Sequence, residues 1–229
     1  MHHYRFTTQP LENLPGNHIF ITLLDQQRCN PVGHAKLTYL NLRNANEIER
    51  ILMMDSTPEI STMAYTLFDN DGMGHQLNNH DFDALHIRRD LDPLFNILHL
   101  SEIEVDPLMM GMGLGKVLMK TIASLYNEPT LLTAEAIPLQ FSEHNDRDRY
   151  QNLDGDEEQS SIQLHQFYRE CGLLTSQSTF NDHSHWLISD TDTIQQSLVN
   201  IPCAFSMDGS MAKSRTITIS NNAYSAPTM

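Results

Sequence analysis

Basic side chains are scarce in this chain: 14 lysines and arginines face 29 acidic residues, for a formal charge of −15 over 229 residues. A field of that sign repels phosphate backbones and argues against nucleic acid as a partner. It favours the approach of cationic amines, though acidic composition is too common to indicate more than that. Cysteine is nearly absent as well. Cys29, Cys171 and Cys203 are odd in number, far apart and without a C-x-x-C pair, so neither a disulfide framework nor a zinc site is expected. A reducing, cytoplasmic compartment is the simple expectation. No segment approaches the roughly 18 consecutive apolar residues of a membrane span. The first twenty residues hold no apolar run behind a basic start, so no signal peptide is expected.

What is present describes an ordinary globular domain, with 40% hydrophobic and 19% charged residues. A core of this size needs no disulfide or metal, and there is no internal repeat. His18 to Leu24 and Gly33 to Leu42 are rich in β-branched and aromatic residues and are separated by a polar stretch ending in Pro31, which predicts an antiparallel hairpin. Asn46 to Met54 is a short helical candidate. Pro58 to Phe68 is a stronger one, with Ser56 or Thr57 as cap and Pro58 at the first position. Residues 69–83 are polar and turn-rich.

Asn96 to Val105 predicts a strand whose parity changes along its length. Leu98 and Leu100 share one face by alternation, whereas Ile103 and Val105 share the other. One extra residue near Ser101 or Glu102, a β-bulge, would bring both pairs to one side. A strand buried on both faces is the alternative. Gly115 to Tyr126 then reads as a helix with Leu114, Leu118, Ile122 and Leu125 as its buried stripe. Leu131 to Leu139 reads as a strand, residues 141–161 as an acidic inserted loop, Ile162 to Cys171 as a helix stopped at Gly172, and His185 to Ser189 as a last strand. Residues 191–229 are expected to be an extension, with one further strand at Arg215 to Ser220.

Between the strand ending at Val105 and the following helix stand Gly111, Gly113 and Gly115. Alternate glycines let the backbone turn sharply and remove the Cβ atoms that would hold a ligand away. The helix start has unpaired N–H groups and a partial positive charge, and its first turn carries Lys116 and no carboxylate. Such a start suits an anion such as pyrophosphate. A dinucleotide fingerprint starting at Gly111 needs glycine where Lys116 stands. A Walker A loop ending at Lys116 needs glycine at Met110 and a hydroxyl residue at Val117. Both patterns fail. A glycine turn that merely lets helix pack on strand is the competing structural reading.

These residues resemble a known family. Val105-x-Pro107 followed by Met110-Gly-Met-Gly-Leu-Gly115 is similar to the acetyl-CoA signature of GNAT acetyltransferases, Q/R-x-x-G-x-G/A, with Met110 in place of the usual Gln or Arg. Downstream, Leu164-His-Gln-Phe-Tyr-Arg-Glu-Cys-Gly-Leu173 resembles the family's late Phe-Tyr helix, and Ile137-Pro-Leu-Gln140 the exit of the strand before it. The resemblance spans residues 97–173 and extends plausibly back to about 18. It implies an α/β (α+β) fold: a central, mixed, mostly antiparallel sheet flanked by helices, in a domain over 1–190 with insertions near 69–95 and 141–161. It further implies that the strands at 97–105 and 131–139 splay to admit acetyl-CoA.

The implied reaction is direct transfer of an acetyl group from acetyl-CoA, as co-substrate, to a primary amine of a small molecule or protein. Such a reaction needs a proton acceptor for the amine, a donor to the carbonyl oxygen and an acid for the departing thiolate. By the resemblance Tyr168 is the acid, with a phenol protonated at neutral pH. Glu102, Glu104 and His99 lie on the strand bordering the substrate cleft, with Glu102 favoured as base because it falls at the expected bulge. The amide of Val105 would be the oxyanion donor. Ile103, Val105, Met110, Gly111, Met112, Gly113, Leu114, Gly115 and Lys116 form the implied cofactor site. Alternatives are a non-catalytic acyl-CoA-binding regulatory module of the same fold and a transferase of longer acyl chains, at which Met109, Met110 and Met112 hint. No metal is expected: His183 and His185 lack a third ligand fixed by spacing, and Asp69 to Gly72 lacks the rest of a calcium loop. No membrane partner is expected, and a homodimer is possible.

Overall fold

The computed structural model of the chain describes residues 3–25, 30–68, 96–126, 130–138, 156–176, 186–201 and 215–217. In chain order these form β1 (His3–Pro10), β2 (Gly16–Leu24), β3 (Pro31–Leu40), α1 (Glu47–Met54), α2 (Pro58–Leu67), β4 (Asn96–Val105), α3 (Leu114–Ala123), β5 (Thr130–Glu135), α4 (Glu157–Glu170), β6 (Leu174–Thr175), β7 (Trp186–Asp190), α5 (Thr191–Ser197) and β8 (Arg215–Ile217). The strands make one eight-stranded sheet in the order β6-β7-β5-β4-β3-β2-β1-β8. Every neighbouring pair is antiparallel except β4 and β5, which run parallel with α3 as their crossover. The fold is therefore a mixed, mostly antiparallel sheet flanked by helices, as expected. The metal-like patterns at 69–72 and 183–185 and most of both insertions lie outside the described residues.

Alternation along the central strands buries both faces of the sheet. On β5, Leu132 and Ala134 join a core built with α3, α4 and α5, through Leu118, Ile122, Tyr168 and Ile194. Leu131 points the other way, into a second core with Ile97, Trp186 and Ile188 under Met53, Ile60, Met63 and Leu67 of α1 and α2. A near-continuous apolar run is what a strand covered on both sides requires.

The β4 parity problem resolves at Ser101. In the β3–β4 register Lys36 opposes Glu102 and Leu37 opposes Leu100, which leaves Ser101 as the extra residue of a bulge. Leu98 and Leu100 before it, and Ile103 and Val105 after it, consequently pack on the same core. The alternative reading is also correct for the first half of the strand, since Asn96 to Leu100 are all buried, Ile97 in the second core. Past the bulge, Glu102 and Glu104 point to the face on which α1 and α2 lie.

Four helices start on side-chain caps. Asn46 forms a capping box with Glu49 at α1, Thr57 caps α2 ahead of Pro58, Asp156 caps α4 and Asp190 caps α5. Asp156, with Glu157 and Glu158 in the first turn where the helix dipole favours them, begins α4 five residues earlier than its apolar period indicates. Three further corrections follow. The strand expected over 131–139 ends at Glu135, and Ala136 to Pro138 continue without sheet pairing. Residues from 191 onward are not simply an extension: Ile194 and Leu198 are buried in the main core, and the Gln195 amide donates to the Ala123 carbonyl at 2.8 Å. Strand β1 is not anticipated by the pattern of apolar residues, since only Tyr4 and Phe6 mark its buried side. The strand expected near 215–220 is present as β8, paired with β1.

Deleting Ser101 would turn Glu102 and Glu104 towards the apolar core and Ile103 and Val105 away from it. The expected outcome is loss of a cooperative urea transition, whereas Ser101→Ala keeps the bulge and stays within about 1 kcal/mol of the parent.

Candidate active site

Parallel pairing of β4 with β5 runs from Asn96 and Thr130 to Leu100 and Ala134 and then stops. Beyond that point β4 continues to Val105 along β3, while β5 ends one residue later and turns off at Ala136. The bulge at Ser101 bends β4 at the same level. The two strands therefore part, and among the described residues the β4 edge that faced β5 has no strand partner on that side. The pairing of the strands for which the resemblance implied a splay thus ends at Leu100 and Ala134.

The glycine turn lies at the open end. After a short 3₁₀ turn at Pro107–Met109, Gly111 and Gly113 both take left-handed backbone angles, each with φ of 78°, and a Cβ placed on either would meet nothing within 4 Å. Gly115 is required for a different reason: its Cβ would come within 3.0 Å of the Phe167 ring on α4. Alone among the described helices of eight or more residues, α3 begins without a side-chain cap and without an acidic residue in its first turn. The first bond of the helix runs from the Val117 N–H to the Gly113 carbonyl, which leaves the preceding amides outside the helical ladder. An anion fits this arrangement, because the open cradle and the uncapped dipole both favour it.

A cavity of about 500 Å³ joins the turn to the parting strands. Met110, Gly111, Leu114 and Gly115 line one end. Glu102, Ile103, Glu104 and Val105 of β4, Glu135 of β5, and Gln163, Phe167 and Tyr168 of α4 line the rest. Because Glu135 alternates with Ala134, it faces the same side of the sheet as Glu102 and Glu104, opposite to Tyr168 and Leu114. The opening therefore passes between the strands, with the glycine turn on one side and three carboxylates on the other. A larger depression of about 1050 Å³ lies between Ala136–Pro138 and the outer side of α4. It does not reach the turn, and residues 139–155 lie outside the described residues.

The carboxylates differ in their partners. His34 Nε2 is hydrogen-bonded to Glu102 Oε1 at 2.6 Å and lies 3.4 Å from Glu104 Oε2, so one imidazole stands close to both β4 carboxylates. The three ligand atoms lie within 4.8 Å of one another, and the 2.6 Å contact is a charge-assisted hydrogen bond. Glu135 has no hydrogen bond or ion pair among the described residues, and burial followed by the nearby charge of Glu59 pushes its carboxyl above the usual range. Glu59 on α2 is held below its usual range chiefly by His99, whose Nε2 lies at 3.8 Å. His99 itself is buried, with Nδ1 3.1 Å from the Thr133 hydroxyl and its ring 5.7 Å from Trp186. It belongs to the sheet interior, not to the cavity lining.

Tyr168 is buried beside Phe167, with ring centroids 5.3 Å apart, and burial drives its phenol well above the ordinary value. It stays protonated at all physiological pH. Lys116 does not line the cavity; its Nζ pairs with Glu170 at 2.9 Å, tying α3 to α4. Met112 and Gly113 are exposed on the turn outside the cavity lining. The residues that sequence reasoning missed are His34 and Glu135. Glu135 left a signal, as the single charge within the apolar run Leu131 to Leu139; His34 left none, because its role depends on the β3–β4 register.

No family model matches the chain, and no curated protein does. Among solved structures, the crystal structure of a tyrosine-to-phenylalanine mutant of KacT superposes with a TM-score of 0.40 at 12% identity, over 78% of this chain and 74% of that one. A superposition this loose says nothing about the chemistry of the present chain.

Since no neighbour opposes a side chain at Gly113, Gly113→Ala isolates the backbone cost. The expected loss is about 1–2 kcal/mol in chemical denaturation, from forcing an alanine into the left-handed region.

Proposed function

We propose that this protein is a GNAT-type N-acetyltransferase that uses acetyl-CoA to acylate a primary amine. The observation that carries the reading is the coincidence of two features: β4 and β5 separate after Leu100 and Ala134, and the separation opens onto the uncapped, glycine-lined start of α3. A glycine turn alone would only let a helix pack on a strand. A turn whose amides border a cavity that continues between two strands is suited to a ligand with an anionic end and a long, narrow arm.

The residues at 111–116 would hold the diphosphate through backbone N–H groups, with Gly111 and Gly113 leaving room for it. Acetyl-CoA would supply the acyl thioester. Along the unpaired edge of β4, amides in the Ile103–Val105 stretch are available to donate to a carbonyl oxygen. Tyr168, kept neutral by burial, holds a proton on the cavity wall facing the turn. On the opposite side the carboxylates attract a cationic amine and exclude anions, a preference that the −15 charge of the whole chain reinforces at long range.

Two measurements test this. Calorimetric titration should show CoA and acetyl-CoA binding to the parent protein and at least about tenfold weaker binding to Gly111→Asp, which sets a carboxylate where the diphosphate would lie. A parent that binds neither ligand removes the proposal. Tyr168→Phe should slow thiol release by about 100-fold with CoA affinity unchanged, the mark of a proton donor. A parallel loss of affinity and rate would instead make Tyr168 a packing residue.

A further inference from the structure

Three carboxylates border the amine side of the opening, and they are not equivalent. Glu102 is hydrogen-bonded to the imidazole of His34 at 2.6 Å and opposes Lys36 across the β3–β4 pairing, while Glu104, buried, lies 3.4 Å from the same ring nitrogen. Both carboxylates thus stand beside a cationic or protonatable group of β3. Glu135 stands on the other lip, at the last residue of β5 before the chain leaves the sheet, half-buried and lining the cavity. Its backbone is fixed by the pairing of Glu135 with Trp186, a fully buried residue. It makes no hydrogen bond or ion pair among the described residues.

We infer that Glu135, and not a carboxylate of β4, is the group that takes the proton from the acceptor ammonium. The inference rests on the acyl-transfer reading above and assigns one of its steps. In that step the carboxylate of Glu135 and the ammonium exchange one proton: an N–H bond breaks, its electron pair stays on nitrogen as the nucleophilic lone pair, and an O–H bond forms on Glu135. The carboxylic acid then returns the proton to solvent through the open side of the cavity.

Placement favours this residue for a physical reason. A useful base here must be ionised yet not tied to a neighbouring cation, and its conjugate acid must be close in strength to the amine it serves. A hydrogen bond with His34 already occupies one oxygen of Glu102. Burial and the like charge of Glu59 both raise the proton affinity of Glu135. Among the described residues, the other ionisable groups on this side are Glu102 and Glu104 of β4, His34 and Lys36 of β3, and Glu59 of α2 with His99 behind it. Tyr168 faces the other side of the opening.

The experiment follows release of the CoA thiol from acetyl-CoA by the full chain, as a function of pH, with cadaverine, spermidine, lysine amide and a free peptide amino terminus as acceptors. For the parent, kcat should climb as pH rises through a value above the ordinary carboxylate range. Glu135→Gln should lower kcat by about 100-fold or more and lose that limb, with CoA affinity and thermal midpoint unchanged. Glu135→Asp should restore part of the rate. Glu102→Gln and Glu104→Gln should instead raise the amine KM and keep the limb. A Glu135→Gln protein with parental kcat and pH profile overturns the inference and leaves acyl transfer standing. A parent that binds CoA but acetylates none of the amines overturns both.

Discussion

Backbone pairing between β4 and β5 ends at Leu100 and Ala134, and most of what distinguishes this molecule follows from that termination. A strand edge that loses its neighbour inside a protein must either be covered, hydrated or offered to a ligand, because buried amide and carbonyl groups are costly when unpaired. Among the described residues no strand pairs with this edge over Glu102–Val105. The bulge at Ser101 bends β4 at the level where β5 leaves, so that one irregular residue both starts the separation and sets which side chains face it.

The separation remains open because the parts around it are held firmly. Each face of the sheet carries its own apolar core, one under α3, α4 and α5 and the other under α1 and α2. The first half of β4 is thus packed on both sides, while beyond the bulge Ile103 and Val105 still pack on the main core and β3 supplies the strand pairing. The ion pair between Lys116 and Glu170 and the close packing of Phe167 on Gly115 fix the two helices that frame the cavity. A polar site on rigid supports is the arrangement in which positioned donors and acceptors are most effective.

Much of this was legible in the amino-acid order, and the parts that were not have identifiable causes. The parity conflict between Leu98, Leu100 and Ile103, Val105 demanded a bulge, and Ser101 supplies it. The glycines at 111, 113 and 115 pointed to an uncapped helix start, and α3 has one. The helix start at Pro58 followed from its cap. The start of α4 did not follow from its apolar period, because its first turn is made of charged and polar residues stabilised by Asp156. Strand β1 offers only two inward aromatics, and β5 was read too long because Ala136 and Ile137 continue its apolar character after pairing has ended. His34 escaped altogether: its meeting with Glu102 and Glu104 links residues far apart in the chain and exists only through strand register.

Strand β8 has a consequence for how the molecule is assembled. It lies at the outer edge of the sheet, against β1, so that Tyr4 is paired with Ile217 near the opposite end of the chain. Bringing such distant segments together costs the most chain entropy of any contact in the sheet. The β4-α3-β5 crossover, by contrast, closes over a short stretch of sequence. The centre of the molecule, with its opening, is therefore able to mature while the far border is still unsealed. Until β8 docks, the outer rim of β1 presents a free row of hydrogen-bonding groups, the kind of rim by which growing chains adhere to one another.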